Sequence, residues 1–231
     1  MPTSSTPLGE QVMGRGLIIA IDGPAGSGKS SVSRTVGADL YLDYLDTGAM
    51  YRALTWWLLE TGVDLEDRDA LAEAAKALPL EMGLSPHNPF FVVDNRNVTR
   101  LIRGPEVTSA VSKVAAHPDV RAALIDKQRA YIQAARDSGK GMIVEGRDTT
   151  TVVAPNADLR ILLTASAAER ERRRAAEAGD ETARTMAQRD ALDSTVNNFT
   201  TPAEGVVLID SDKLTLSQTV NAVLDLVRGL L

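Results

Sequence analysis

The stretch of the sequence that points most directly to chemistry is a glycine-rich segment that ends in lysine and serine. Residues 23–30 read Gly-Pro-Ala-Gly-Ser-Gly-Lys-Ser and fit the pattern G-x-x-x-x-G-K-[ST]. In such a P-loop the glycines let backbone N–H groups converge on phosphate oxygens, the lysine reaches the β and γ phosphates, and the serine hydroxyl ligates Mg²⁺. We therefore predict a nucleoside triphosphate site formed by Gly23, Pro24, Ala25, Gly26, Ser27, Gly28, Lys29, Ser30 and Ser31, with Ser30 as the metal ligand.

A second polar segment follows the next apolar run. Asp46 and Thr47 stand at its end, and Arg52 comes one helical turn into the segment that follows. Ligands of doubly wound sheets bind at strand ends, where this segment offers a carboxylate, a hydroxyl and a helix start. Taken alone, Asp-Thr-Gly is also a common turn and Arg52 a common surface residue.

Short apolar runs rich in β-branched residues predict the strands that position these segments. The runs at 17–22 and 41–45 are each followed by a segment with helical spacing, and the runs at 141–144, 159–163 and 206–209 have the same buried character. Alternating strands and helices indicate an α/β fold. We predict a P-loop NTPase core with a parallel five-stranded sheet flanked by helices.

The middle of the chain interrupts this alternation. We expect a single domain at 17–231, with its core at 17–61 and 141–231, an insertion at about 62–140 and an arginine-rich lid at about 166–201. The insertion is expected to contain a surface helix, a small antiparallel sheet around a turn at Asp94-Asn95, and two further helices. Their expected bounds are 65–78 for the first helix, 90–93 and 98–102 for the strands, and 105–116 and 118–137 for the later helices.

Composition limits the classes of protein to which the chain can belong. It has 231 residues and no cysteine, which excludes disulfides, thiolate zinc sites and cysteine nucleophiles. Its net charge of −6 disfavours non-specific binding to nucleic acid or to an anionic membrane. No apolar run reaches the roughly 18 residues of a membrane span. We expect a cytoplasmic monomer that binds small molecules, with residues 1–16 as a flexible leader.

Together these segments resemble the bacterial cytidylate kinase family of nucleoside monophosphate kinases. The segment LDTGAMYR at 45–52 is similar to a motif of this family. The segment VSKVAAHPDVR at 111–121 resembles the family's pyrimidine-recognising helices, and VEGRD at 144–148 resembles its Gly-Arg-Asp motif at a strand end. The arginines of 170–174 and the segment 189–195 resemble its lid. The resemblance covers nearly the whole chain from residue 16 onward.

The resemblance implies an ATP-dependent kinase, with Mg²⁺, that phosphorylates CMP or dCMP to CDP or dCDP. It implies that the catalytic residues are Lys29, Arg147, Asp148 and Arg189. We further expect Asp46 or Asp148 to organise Mg²⁺ through water. The implied substrate-binding residues are Arg52, Arg147 and Arg189 for the monophosphate, Thr47, Ser112 and Arg121 for the cytosine, Asp193 for the ribose, and Asp46.

The sequence departs from the family pattern in three places. After Asp148 the family usually continues Ile-Gly-Thr, whereas this chain has three threonines at 149–151, and we expect the missing glycine to stiffen or reshape that loop. Val196 stands where the family supplies an arginine, so one substrate contact is expected to be missing. The segment between Arg174 and Arg189 is also shorter than is typical.

Other functions remain open at this stage. A P-loop kinase for another small acceptor such as UMP would share the phosphate-binding motif, although Thr47, Ser112 and Arg121 argue against it. A catalytically weakened nucleotide-binding relative would be compatible with Val196 and Thr150. A GTPase-type switch protein is disfavoured because the sequence has no Asn-Lys-x-Asp guanine motif.

Overall fold

The computed structural model describes residues 6–178 and 201–231 of the chain. Its strands are β1 (Ile18–Asp22), β2 (Asp43–Asp46), β3 (Leu80–Gly83), β4 (Phe90–Val93), β5 (Arg96–Asn97), β6 (Met142–Gly146), β7 (Leu159–Thr164) and β8 (Val207–Asp210). Its helices are α1 (Leu8–Val12), α2 (Lys29–Asp39), α3 (Thr47–Glu60), α4 (Arg68–Ala77), α5 (Pro105–Ala115), α6 (Pro118–Asp137), α7 (Ala167–Ala178) and α8 (Leu216–Arg228). Among the helices in these two ranges, none is long and apolar enough to cross a membrane.

Five parallel strands form the main sheet in the order β2-β6-β1-β7-β8. The predicted parallel five-stranded sheet is therefore confirmed. The central strand β1 is buried along its whole length, with Ile18 opposite Met142 and Ile19 opposite Leu159. Because all five strands run the same way, their carboxyl ends meet at one edge, and the P-loop leaves that edge from the centre of the sheet.

Side chains of the sheet alternate between two apolar cores. Ile19 and Ile21 pack in a cluster with residues of α2 and α8, such as Val36 and Val223. Ile18 belongs instead to a cluster with α3 and α6 on the opposite face. Helices therefore cover both faces of the sheet, as the near-continuous apolar strands require.

The insertion holds a three-stranded antiparallel sheet in the order β3-β4-β5. Asp94 and Asn95 form the turn between β4 and β5 with positive φ angles of 47° and 60°, as expected for a tight hairpin. The predicted strand at 98–102 is wrong. The second hairpin strand is the two-residue β5, and Leu101–Arg103 forms a 3₁₀ turn whose Ile102 is fully buried. The apolar residues there serve packing against α3 and α5, which the alternation alone does not reveal.

A third apolar cluster joins α3 and α5 with α4, α6 and the hairpin. Leu54 and Leu58 of α3, Val114 of α5 and Leu124 of α6 are fully buried in it. Helix α3 therefore links the two parts of the molecule, since it starts at the carboxyl end of β2 and is buried in the insertion along most of its length.

Residues 8–12 are not the loose leader expected from the sequence. They form α1, whose Val12 is 1% exposed and belongs to the core around α2. Gly9 lies so close to the end of α2 that an added Cβ would be 2.5 Å from the Asp39 carbonyl oxygen. The polar composition of the leader therefore concealed a short helix that packs against the core through Leu8 and Val12.

Candidate active site

The P-loop lies between β1 and α2, as its motif predicts. Gly28 precedes α2 with φ of 92°, a left-handed conformation that favours glycine. Gly23 has φ of 153°, and a Cβ there would lie 2.1 Å from the carbonyl oxygen of Leu163. Lys29 donates a 2.9 Å hydrogen bond from Nζ to the Pro24 carbonyl, across the loop. The loop thus presents backbone N–H groups and a lysine at the start of a helix, which is the arrangement that binds phosphate.

A cavity of about 460 Å³ opens beside the P-loop. It extends from the loop to the start of α3, the end of β6 and the edge of the antiparallel sheet. Its lining is rich in cations and in small residues. Among the lining residues are Ala25, Gly26, Gly28, Lys29, Ser30, Ser31, Arg34, Asp46, Arg52, Arg103, Glu145, Arg147 and Arg173.

Arg52 is the most deeply buried of these cations. It is 8% exposed, and its Nη1 donates to the Ile102 carbonyl and to Thr108 Oγ1, both at 3.0 Å. Arg147 lines the same cavity from the loop after β6. The structure therefore places Arg52 and Arg147 in the lining of the same cavity as Lys29.

Two buried groups at the carboxyl ends of β2 and β6 were not singled out from the sequence. The Tyr44 hydroxyl donates to Glu145 Oε1 at 2.6 Å, and Glu145 is 3% exposed. Burial, followed by the nearby Asp46 carboxylate, raises the pKa of Glu145, whereas Lys29 and Ser30 lower it. Burial likewise raises the pKa of Tyr44. A charged residue at the end of an otherwise apolar strand was the available sequence signal for Glu145.

Asp46 has a structural role in addition to lining the cavity. It is the N-cap of α3, and its Oδ1 accepts a 2.8 Å hydrogen bond from the Ala49 N–H. Its Oδ2 lies 3.4 Å from Nη2 of Arg103. One carboxylate oxygen is thus used by the helix, and the other faces the cavity next to a cation.

The residues expected to read the base lie outside the lining of this cavity. Thr47 is buried, and its Oγ1 donates to the Glu145 carbonyl at 2.8 Å. Arg121 of α6 makes an ion pair with Asp148, and both side chains are largely shielded from solvent. Burial raises the pKa of Asp148, and the Arg121 guanidinium opposes that rise. The structure therefore joins Arg121 to Asp148, a pairing that the sequence did not predict.

Ser112 and Tyr51 also carry polar groups into buried surroundings. The Ser112 hydroxyl is buried and has no hydrogen-bond partner among the described residues. Burial raises the pKa of Tyr51 to about 12, in an environment that includes Arg121 and Asp148. Leaving a buried hydroxyl without a partner costs about 1–3 kcal/mol. Arg189 and Asp193, the other predicted substrate residues, and Val196 lie outside the described residues.

Helix α7 approaches the P-loop through two arginines. Arg173 donates to the Ser27 carbonyl at 3.2 Å and to the Ser211 carbonyl at 2.7 Å, and Arg170 donates to the Ala25 carbonyl at 3.2 Å. Arg172 is instead mostly exposed and pairs with Glu169. Glu169 accepts hydrogen bonds from both Arg172 and Arg173, and these bonds lower its pKa to about 2. The arginine cluster thus combines contacts to the phosphate-binding loop with solvent-exposed pairing.

Comparisons with known proteins agree with this geometry. The model of the family described as cytidylate kinase matches residues 19–229. A cytidylate kinase from Streptomyces avermitilis is 44% identical over 218 residues, which cover 91% of this chain and 92% of that protein. One from Cutibacterium acnes is 45% identical over 218 residues, which cover 91% and 96% respectively.

A solved structure of an uncharacterised protein from Eubacterium ventriosum has the same fold. It covers 92% of this chain with a TM-score of 0.51 at 12% identity, so the likeness concerns the fold alone. The family match, in contrast, spans most of the chain, including the P-loop, the segment from Asp46 to Arg52 and the Arg147-Asp148 loop. The chain belongs to the cytidylate kinase family.

Proposed function

We propose that the protein transfers the γ-phosphoryl group of ATP to CMP or dCMP, giving CDP or dCDP and ADP. The observation that carries this proposal is the single cavity in which the P-loop residue Lys29 faces Arg52 and Arg147. A triphosphate on the P-loop and a monophosphate on the two arginines would meet in that space. The names of the similar proteins support the choice of acceptor.

The donor end of the reaction uses the P-loop. Backbone N–H groups of 23–30 would bind the β phosphate. Lys29, which donates to the Pro24 carbonyl in this structure, would bind the γ phosphate instead. Arg173 lines the same cavity and stabilises the loop from α7. These groups hold the donor without making any covalent bond to it.

The residues beside Lys29 fit a hydrated Mg²⁺. Ser30 offers an exposed hydroxyl, and the Glu145 carboxylate lies within hydrogen-bonding range of it. A site with few protein oxygen ligands suits Mg²⁺, because this ion keeps several of its waters and takes its other ligands from substrate phosphates. When bound, the ion neutralises charge on the β and γ phosphates. We propose that Ser30 holds it, with Glu145 and Asp46 accepting hydrogen bonds from its waters.

Asp148 is less suited to this metal role than the sequence led us to expect. The Asp148 carboxylate forms an ion pair with Arg121. Among the described residues that line the cavity, Asp148 is absent. We propose instead that Asp148 acts with Arg121 on the acceptor base. A carboxylate accepts from the exocyclic amino group of cytosine, and a guanidinium donates to the ring nitrogen beside it.

The remaining acceptor roles follow the same chemistry. Arg52, Arg147 and Arg189 would bind the monophosphate, since guanidinium groups make forked contacts with phosphate. Thr47 and Ser112 would add hydroxyl contacts to the cytosine, and Asp193 would bind the ribose. Uracil presents an oxygen where cytosine has an amino group, so the Asp148 carboxylate would repel UMP.

Catalysis then consists of alignment and charge stabilisation. Arg52 and Arg147 hold a phosphate oxygen of the acceptor in line with the γ phosphorus, which is attacked as the bond to the β-phosphate oxygen breaks. Lys29 stabilises charge on the transferred group. No general base is required, since the attacking phosphate oxygen is already ionised near neutral pH.

The test is ADP release from ATP with CMP, dCMP, UMP, AMP and GMP supplied one at a time. We expect turnover with CMP and dCMP in the range of about 1–100 s⁻¹ that is typical of kinases. Lys29→Ala serves as the control and should lose nearly all turnover. Full activity of that variant, or turnover with a purine acceptor alone, would contradict the proposal. Turnover with UMP alone would favour the alternative kinase, and CMP binding without turnover the weakened relative.

A further inference from the structure

A buried carboxylate with no part in the proposed chemistry lies directly before the P-loop. Asp22 is the last residue of β1 and is 3% exposed. Its Oδ1 accepts from the N–H and the hydroxyl of Thr149 at 2.7 and 2.5 Å. Its Oδ2 accepts from the same two groups of Thr150 at 2.8 and 2.5 Å. Each carboxylate oxygen thus binds one threonine through two donors, an arrangement named here the Asp22 contact.

The two threonines begin an unusual turn. Residues Thr149–Val153 form one turn of π-helix, closed by hydrogen bonds from the N–H of Val153 to the Asp148 carbonyl and from Ala154 to Thr149. The first N–H groups of any helical turn have no partner inside it. Here Asp22 supplies that partner from a different part of the chain. Turns of π-helix are rare and are found frequently at functional sites.

The same loop carries the acceptor-binding residues. Arg147, which lines the cavity, and Asp148, which pairs with Arg121, immediately precede the two threonines. Gly146 brings this loop close to α3, since an added Cβ would lie 2.3 Å from Thr47 Oγ1 and 2.8 Å from Thr149 Cγ2. Thr149 is therefore packed beside the start of α3 as well as bonded to Asp22.

These contacts join the donor loop and the acceptor loop through one side chain. Asp22 belongs to the central strand and is followed by Gly23 of the P-loop, so its position is fixed by pairing with β6 and β7. Strand β6 ends at Gly146, so the loop that follows it is not held by strand pairing. Hydrogen bonds to an ionised carboxylate are shorter and stronger than neutral ones, and burial strengthens them further.

We infer that the Asp22 contact positions the Arg147-Asp148 loop against the P-loop, so that the hydroxyls of Thr149 and Thr150 act as positioning groups for the acceptor. The inference rests on the proposed function and extends it to residues that touch neither substrate. Without the hydroxyls, the loop keeps only its two backbone donors to Asp22. Arg147 and Asp148 then lose alignment, while the nucleotide site on the P-loop keeps its glycines and Lys29.

The test replaces both threonines by valine, a change that removes two hydroxyls and preserves side-chain shape. For Thr149→Val/Thr150→Val we expect the KM for CMP to rise about tenfold or more, as for the loss of one to two hydrogen bonds to a charged group. The KM for ATP should change less than about twofold, since those contacts lie on the P-loop. The matched control is Thr151→Val, because Thr151 is the next residue and is exposed.

The serine pair provides the rescue. Thr149→Ser/Thr150→Ser restores the hydroxyls without the methyl groups, and we expect its KM for CMP to return to within about threefold of the wild type. CMP binding by calorimetry and the melting temperature are measured on every variant. Should the valine pair be unfolded, the single valine variants are compared in the same way.

Three results would overturn the inference. They are an equal rise of both KM values, a lower melting temperature with both KM values unchanged, and a serine pair no better than the valine pair. Each would show that the hydroxyls do not position the acceptor loop selectively. Acceptor choice by the wild type tests the proposed function separately, and the variants are then assayed with whichever acceptor the wild type uses.

Discussion

The Tyr44 hydroxyl donates a 2.6 Å hydrogen bond to Oε1 of Glu145 at the carboxyl ends of two neighbouring parallel strands. Asp46 is in register with Glu145 across the same pair. Two carboxylates are thus held side by side next to Lys29, and burial together with this like charge raises the pKa of Glu145. Burial and the Asp46 carboxylate favour protonated Glu145, whereas a positive charge beside it, such as that of Lys29, favours its ionised form.

This raised pKa predicts a pH-dependent stability. Below the ordinary value of 4.5, Glu145 is protonated in both states and has no effect. As pH rises above 4.5, the unfolded chain releases the proton first, so stability falls until pH passes the folded pKa. Glu145→Gln keeps an acceptor for Tyr44 and lacks this loss. We expect the melting temperature of the variant, relative to that of the wild type, to increase as pH rises from 5 and to level off once pH passes the folded pKa of Glu145.

Glu169 provides a control of opposite sign. Its pKa is lowered to about 2 by arginines 172 and 173, so its contribution is constant from pH 5 to pH 8 and is lost only in acid. The difference between Glu169→Gln and the wild type should therefore not vary over that range. A Glu145→Gln difference that is equally flat would contradict the prediction.

Asp148→Asn should weaken the choice between CMP and UMP. The amide cannot match a carboxylate as acceptor for the cytosine amino group, and its NH₂ can donate to the uracil oxygen. Loss of one hydrogen bond to a charged group, about 1.5–3 kcal/mol, corresponds to a roughly 10- to 100-fold lower kcat/KM for CMP. We expect the activity with UMP to rise or to stay level, as measured by ADP release.

The exposed ion pair of α8 supplies the control for that variant. Asp225 bonds Arg228 with both side chains more than half exposed, so Asp225→Asn removes a similar charge far from the cavity. Its CMP to UMP ratio should equal that of the wild type. An unchanged ratio in Asp148→Asn would exclude the proposed role of this carboxylate.

Gly146→Ala tests the close approach between the Arg147-Asp148 loop and α3. The new Cβ would lie 2.3 Å from Thr47 Oγ1, whose hydroxyl is already bonded to the Glu145 carbonyl. Overpacking of this kind costs about 1–3 kcal/mol, or a melting temperature lower by roughly 2–12 °C in a chain of this size. Thr47→Ala in the same chain should recover part of the loss.

Gly229→Ala is the matched control for Gly146→Ala. Its added Cβ would meet backbone oxygen no closer than 3.4 Å, and its φ of −69° suits any residue. We expect less than about 1 kcal/mol of change at this position, as for an ordinary surface substitution. Equal melting temperatures of Gly146→Ala and Gly229→Ala would show that α3 can move away from the added methyl group without loss of stability.

The parts of the fold that could be predicted are those with strong local patterns. Five apolar strand runs and the P-loop spacing were sufficient for the parallel sheet, because buried strands and phosphate loops need particular residues at fixed intervals. The strand expected at 98–102 failed since Ile102 is apolar for contact with distant helices. Helix α1 was missed because only two apolar side chains, those of Leu8 and Val12, pack it against the core.

The site was predicted in its residue types more than in its pairings. Lys29, Arg52 and Arg147 do line one cavity, and each could be found by motif. The bonds of Asp22 with Thr149, and of Arg121 with Asp148, join residues more than 25 positions apart. No local pattern encodes such pairs, because they depend on which strand ends the topology brings together.

The contact of α7 with the P-loop leads to a prediction about ATP. Arg173 is mostly buried and binds the Ser27 carbonyl as well as Ser211 through its fork of donors. Lysine at this position keeps the charge but cannot make both contacts. We expect Arg173→Lys to raise the KM for ATP about tenfold, with little effect on the KM for CMP, as for loss of one charge-assisted hydrogen bond. Steady-state kinetics with each substrate varied in turn gives both constants.

Arg172→Lys separates this contact from the charge of the helix as a whole. Arg172 is the preceding residue, its side chain is 71% exposed and it pairs with Glu169. Exposed pairs of this kind contribute about 0–1 kcal/mol, so neither KM should change by more than about twofold. An Arg173→Lys variant that matches Arg172→Lys in both constants would mean that α7 supports the P-loop by charge alone. A rise in the KM for ATP in Arg173→Lys alone would instead show that the two hydrogen bonds of Arg173, to the Ser27 and Ser211 carbonyls, are required, because the two variants have the same net charge.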